Sequence, residues 1–160
     1  MSIIIFSRSI RSGKTTEVQA WCAGKLNVAG ILMPDVDGVR HFMNIASVET
    51  FIAEGEDAMG EELFVVGRFS FSKAAFDNAN NIILDALPEM PEWLVIDEVG
   101  KLELQHEGLY EAVKIAVEVY GNPNCEKEFI LVVREELLEH VIRDFGITNY
   151  HLVHNLELIE

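Results

Sequence analysis

The sequence predicts a three-layer α/β fold: a mostly parallel sheet with helices on both faces and a β-hairpin insertion. Two observations carry this expectation. Short apolar runs without polar alternation at residues 2–6 (SIIIF), 93–96 (WLVI) and 129–133 (FILVV) have the character of strands buried on both faces. Between such runs lie segments whose apolar residues recur at three and four, joined by connections of a few residues. That order lays strands parallel with helices packed against them.

The first run leads straight into Ser7-Arg8-Ser9-Ile10-Arg11-Ser12-Gly13-Lys14-Thr15-Thr16, and Val18, Trp21 and Cys22 then mark a helix over 15–23 that Gly24 ends. A second strand over 28–33 is closed by Pro34, and Asp35-Val36-Asp37-Gly38 supplies turn chemistry before 39–46, which predicts the hairpin. The acidic stretch 54–62 is expected to be an exposed loop before a strand at 63–66. Residues 72–87 follow the helical period, with Ser72 placed to cap the N-terminus and Pro88 and Pro91 to stop the helix. The strand at 93–96 ends at Asp97-Glu98 and is followed by a helix over 107–120 closed by Gly121-Asn122-Pro123. The strand at 129–133, a helix over 135–145 and a strand near 150–153 complete the alternation, with no internal repeat.

A chain of 160 residues with 49% hydrophobic residues and nine Phe is expected to form one domain with a substantial core. Its 27 Asp+Glu against 12 Lys+Arg give a formal charge of -15, which argues against nucleic acid or an anionic membrane as the main partner. A nucleotide is a different matter, because a few donors in one pocket bind it locally against the overall field. Cys22 and Cys125 stand far apart without C-x-x-C spacing, so neither a zinc site nor a disulfide framework is expected. His41, His106, His140, His151 and His154 show no metal-binding spacing. No apolar run approaches the length of about 20 residues that spans a bilayer, and no signal-peptide pattern opens the chain, so the cytoplasm is the expected compartment.

The chemistry concentrates at two strand ends. A phosphate-binding loop of the Walker A type needs a glycine-rich turn whose N–H groups face phosphates, a Lys reaching the terminal phosphates and a hydroxyl on the magnesium ion. Gly13, Lys14 and Thr15 supply its second half, with Arg11, Ser12 and Thr16 beside them as expected phosphate-binding positions. The leading glycine of the pattern is replaced by Arg8, and Arg11 fills another position that is often glycine. Arg8 and Arg11 admit two readings, an internal charge-stabilising finger or a guanidinium turned to solvent.

Trp93-Leu94-Val95-Ile96-Asp97-Glu98, four apolar residues and two carboxylates, is the Walker B arrangement. There Asp97 helps hold Mg2+, in part through water, together with Thr15, and Glu98 polarises the attacking water. Lys14 and Glu98 are thus the expected catalytic residues. Lys101 and Glu103 follow, and for both a solvated position is the better reading, with a role at the nucleotide as the alternative.

Several segments resemble the thermophile-type nucleoside triphosphatase family, small P-loop proteins of the additional-strand class whose human relative is called cancer-related nucleoside triphosphatase. They are Gly13-Lys14-Thr15-Thr16, Gly30-Ile31-Leu32-Met33-Pro34 leading to Val39-Arg40-His41-Phe42, Gly67-Arg68-Phe69-Ser70-Phe71, and, most specific, Ile96-Asp97-Glu98-Val99-Gly100-Lys101-Leu102-Glu103-Leu104. The resemblance runs over most of the chain in the right order. It implies a P-loop fold and magnesium-dependent hydrolysis of ATP, GTP and other nucleoside triphosphates through Lys14, Thr15, Asp97 and Glu98, with Arg40 matching a hairpin arginine. The chain departs from the family at Arg8 to Ser12 and in a hairpin, residues 34–42, shorter than usual. Two other functions stay open: a nucleotide-binding module that signals to a protein partner with little turnover, and a small-molecule or nucleotide kinase.

Overall fold

In the computed structural model, which describes residues 3–9, 12–56 and 60–159, the chain opens with the strand β1 (Ile3–Arg8) and the helix α1 (Lys14–Ala23). Next come β2 (Val28–Leu32), β3 (Asp35–Val36), β4 (Val39–Asn44), β5 (Thr50–Ile52), β6 (Leu63–Val66), β7 (Phe69–Ser72) and α2 (Lys73–Ala86). The second half holds β8 (Trp93–Val99), α3 (Lys101–Leu104), α4 (Tyr110–Tyr120), β9 (Glu128–Arg134), α5 (Leu138–Asp144) and β10 (His151–Val153).

The main sheet has the order β10-β1-β9-β8-β2-β4-β3, with β5 paired to β4. The first five strands of that order are mutually parallel, and β3, β4 and β5 are added antiparallel. The expected hairpin insertion is therefore present as β3–β4, its turn made by Asp37 and Gly38 at φ 53° and 83°. Asp and Gly accept such dihedrals, which is why this pair turns the chain.

Alternate residues of the parallel strands feed two cores, which is why their sequences lack polar alternation. Ile3, Ile5, Leu94, Ile96, Phe129, Leu131 and Val133 face one core with α2, α3, α4 and α5. Ile4, Phe6, Val95, Ile130 and Val132 face the other, with Val18 and Cys22 of α1 and Leu156 near the C-terminus. Helices thus cover both faces, as the sequence predicts. Cys22 is buried, and that burial pushes its thiol up to about 12, so it behaves as a small apolar side chain. Among the described residues no helix is long and apolar enough to cross a membrane.

One glycine is dictated by strand packing. Gly30 lies opposite Val95 in the β2–β8 pair at φ 128°, and a Cβ there would sit 1.9 Å from the Val95 carbonyl oxygen. No side chain fits.

Several boundaries differ from the sequence expectation for identifiable reasons. The strand at 93–96 does not stop at Asp97-Glu98 but runs through them to Val99, with the register against β9 broken between Ile96 and Val99. The helix expected over 107–120 begins at Tyr110, preceded by the short α3. The helix expected over 135–145 opens with a 3-10 turn at Glu135–Leu137 before α5. The strands β5 and β7 lie where the sequence reading placed none, β7 pairing with β6 in a separate hairpin. In the acidic stretch, residues 57–59 lie outside the described residues.

Candidate functional site

The carboxyl ends of β1, β9, β8 and β2 open on a cleft of about 790 Å3, the place where open α/β sheets bind ligands. Its floor is the start of α1. Gly13 caps that helix at φ 82°, a left-handed conformation that strains any residue with a Cβ, and it turns the chain so that the free N–H groups of the first turn face the cleft. Ser12, Gly13, Lys14, Thr15 and Thr16 all line the cleft. Arg11 lies outside the described residues.

Lys14 is only 6% exposed, and its Nζ donates to the Ser9 carbonyl at 3.0 Å, which bends the amine back over its own loop. The Ser12 hydroxyl is buried and has no hydrogen-bond partner among the described residues. A lysine amine and a hydroxyl beside the start of a helix are donors that suit an anion.

Asp97 is fully buried at the heart of the sheet edge. Its Oδ2 accepts the Thr15 hydroxyl at 2.8 Å and the Met33 N–H at 3.1 Å, while Oδ1 accepts the Glu98 N–H at 2.9 Å. Burial, with the neighbouring Glu98 charge adding to it, pushes the Asp97 carboxyl up to about 7 against these three donors. The Thr15 hydroxyl and the Asp97 carboxylate are hard oxygen donors side by side at the N-terminus of a helix, a set that suits a small divalent cation shared with phosphate oxygens and water.

Glu98 sits at φ 57° in the break of register between β8 and β9. A left-handed residue at a bulge re-aims its side chain, and such strain is found where function holds it. Here the carboxylate emerges into the cleft, where Arg40 of β4 approaches it to 3.8 Å. The Arg40 N–H in turn donates to Glu54 at 2.6 Å, tying the hairpin to the segment after β5. Lys101, the first residue of α3, is exposed on the rim of the same cleft.

Arg8 takes neither of its two expected positions. Its guanidinium pairs with Glu17 of α1 at 3.3 Å and lies over the Phe6 ring, 5.1 Å from the centroid, so it braces the helix against the strand. Glu103 corrects the solvated reading. It is 2% exposed, its Oε1 accepts the Gly100 N–H at 2.8 Å, and its Oε2 accepts the Leu109 N–H at 2.8 Å. Burial outweighs those donors and pushes its carboxyl up to about 7. Glu103 therefore fixes the backbone directly after Glu98.

Cleft residues to which the sequence reading gives no site role include Arg134 and Phe69. Arg134 ends β9, between the strand carrying the phosphate loop and the strand carrying Asp97. A cation directly after a buried apolar strand was the available signal. Phe69 lies in the segment 67–71 that carried part of the family resemblance, without a role at the site attached to it.

A sequence model of the family described as NTPase matches residues 3–157. The crystal structure of THEP1 from the hyperthermophile Aquifex aeolicus superposes with a TM-score of 0.74 at 18% identity, covering 98% of this chain and 92% of that one. This likeness shows the α/β P-loop fold. Comparison with curated protein sequences yields no significant match. The family pattern spans nearly the whole chain, from the first described strand to the turn after the last, and the protein belongs to the NTPase family.

Proposed function

We propose that the protein hydrolyses nucleoside triphosphates, ATP and GTP among them, to the diphosphate and phosphate, with Mg2+ as cofactor. The observation that supports this most is the contact between the Thr15 hydroxyl and Asp97 Oδ2 at 2.8 Å, with Lys14 and Glu98 lining the same cleft. A bound Mg2+ would neutralise charge on the β- and γ-phosphate oxygens, with Thr15 and Asp97 as its holders.

In this reading the N–H groups at the start of α1 and the Ser12 hydroxyl receive the phosphates, with Arg11 and Thr16 beside them. Lys14 exchanges the Ser9 carbonyl for phosphate oxygens, a stronger, charge-assisted partner. Glu98 orients a water against the γ-phosphorus and accepts its proton as the oxygen–phosphorus bond forms and the bond to the bridging oxygen breaks. Arg40 and Lys101 stand as accessory cations. Glu103 keeps the turn after Glu98 in place through Gly100.

A second reading is a nucleotide-binding module with little turnover. The observation in its favour is the Arg40–Glu98 ion pair, which competes with the water for the same carboxylate. Phosphate release from ATP, GTP, CTP and UTP, with Mg2+ and with EDTA, separates the two. For the hydrolase, Glu98→Gln lowers turnover about 100-fold while triphosphate affinity changes little. Turnover unchanged in Glu98→Gln removes that residue from the role. Tight triphosphate binding with no phosphate release selects the module.

A further inference from the structure

The cleft is longer than the phosphate site, and its far half has a different chemistry. Thr15 and Asp97 flank the position of the β- and γ-phosphate oxygens in the reading above, on which this inference rests, so Glu98 marks the γ-phosphate end and the nucleoside extends the other way. From Glu98 the lining nevertheless continues through Arg40, which pairs with Glu98 and lies over Phe69. Val66, Phe69, Phe71 and Phe76 line the cleft there with apolar surface, and Arg40 and Arg68 stand over it. The two guanidinium carbons lie 5.8 and 5.5 Å from the centroid of the Phe69 ring, which stacks at 13° on Phe71.

This wall is built by the β6–β7 hairpin, whose Gly67 turn at φ 59° carries Arg68 out from the strand ends into the cleft. Arg68 makes no ion pair with any described carboxylate. In a chain of net charge -15, a guanidinium that pairs with no carboxylate among the described residues and stands beside an aromatic wall is a feature to be explained. Aromatic faces receive planar rings by stacking, and guanidinium groups receive phosphate oxygens in two-point hydrogen bonds. Water as the sole acceptor of a phosphoryl group needs neither.

We propose that the far half of the cleft binds a second ligand beyond the γ-phosphate: a planar ring bearing a phosphate monoester, of the nucleoside monophosphate class. The ring lies against Phe69 and the phosphate meets Arg68 with Arg40 beside it. The site is occupied together with the triphosphate site rather than in competition with it.

Isothermal titration of AMP and of GMP, each into the free full-length protein and into protein saturated with Mg2+ and a non-hydrolysable ATP analogue, tests this. The expected result is saturable binding of at least one monophosphate at one site per chain in both forms. Arg68→Ala and Phe69→Leu each weaken it at least tenfold, and adenosine binds at least tenfold more weakly than AMP. Arg68→Ala releases phosphate from ATP within twofold of the parent, because that residue belongs to the far half alone. The proposal falls if neither monophosphate binds the analogue-saturated protein, if AMP and GMP merely displace the analogue, or if Arg68→Ala binds them as the parent does. Failure of the analogue itself to bind overturns the hydrolase reading instead, and the titration of the free protein then decides the second site separately.

Discussion

The Thr15 hydroxyl of α1 and the Asp97 carboxylate of β8 are joined by a hydrogen bond of 2.8 Å across 82 residues of sequence. This bond is the point where the helix at the floor of the cleft meets the strand that carries the acidic pair. Asp97 also holds the Met33 N–H just beyond β2, so one buried carboxylate ties three segments of the sheet's carboxyl edge together. A ligand that takes over the Thr15 hydroxyl therefore acts on the whole edge.

Replacing Thr15 by Val removes that hydroxyl while keeping the shape of the side chain. Loss of a donor to a buried carboxylate is expected to cost about 1–3 kcal/mol of stability. On the proposed function, nucleotide affinity measured with Mg2+ should fall about 10- to 100-fold, toward the value in EDTA, because Thr15 would hold the ion. Titration calorimetry with and without the metal checks this, and equal losses in both conditions would show that Thr15 serves the fold only.

Glu103 and Asp97 make the metal-free protein sensitive to pH in a defined direction. Both carboxyls are pushed up to about 7 from ordinary values of 4.5 and 3.8, mainly by burial. A raised carboxyl pKa means that the folded state holds a proton the unfolded chain has released, so stability falls as pH rises from about 4.5 to 7 and levels off above that. Thermal unfolding in EDTA between pH 5 and 8 should show this decline, and Glu103→Gln should make it shallower. A melting temperature that climbs over the same interval would contradict the assignment.

Gly30 has no room for a methyl group. With the added Cβ 1.9 Å from the Val95 carbonyl oxygen and φ at 128°, Gly30→Ala must push β2 away from β8. The expected loss is about 3 kcal/mol or more, at the upper end of single substitutions. Urea denaturation measures it, and a loss below 1 kcal/mol would show that the two strands separate more easily than their pairing suggests.

Ser72 caps α2 through its hydroxyl, which accepts the Ala75 N–H at 3.1 Å. Ser72→Ala should cost about 1 kcal/mol. For a chain of this size that lowers the melting temperature by about 2–4 °C. Phosphate release, measured at a temperature where both proteins are folded, should stay at the parent's rate, since Ser72 does not line the cleft.

The Gly13-Lys14-Thr15 segment and the acidic pair that meet at the cleft were legible in the sequence because both are local: a glycine, a lysine and a hydroxyl after an apolar run, and two carboxylates at the end of another. The hairpin at Asp37-Gly38 was legible for the same reason, since its turn residues accept dihedrals that others avoid. Glu103 was not. An acidic residue in a short helix looks solvated until the Leu109 and Gly100 N–H groups are seen to converge on it, and those donors depend on how the loop after α3 folds back. Arg8, likewise, was to be weighed as a finger or a solvated group, whereas its real partner is Glu17, one helical turn into α1.

The sequence by itself determined the layered α/β fold and which strand ends border the cleft, because apolar runs, helical periods and turn residues act over a few neighbours. Only the tertiary structure decided the direction in which each charged group points. The bulge that turns Glu98 toward Arg40, and the β6–β7 hairpin that brings Arg68 and Phe69 to the far end of the cleft, come from pairings between segments distant in the chain. Burial, and with it the charge state of Asp97 and Glu103, is a property of those pairings rather than of any single segment.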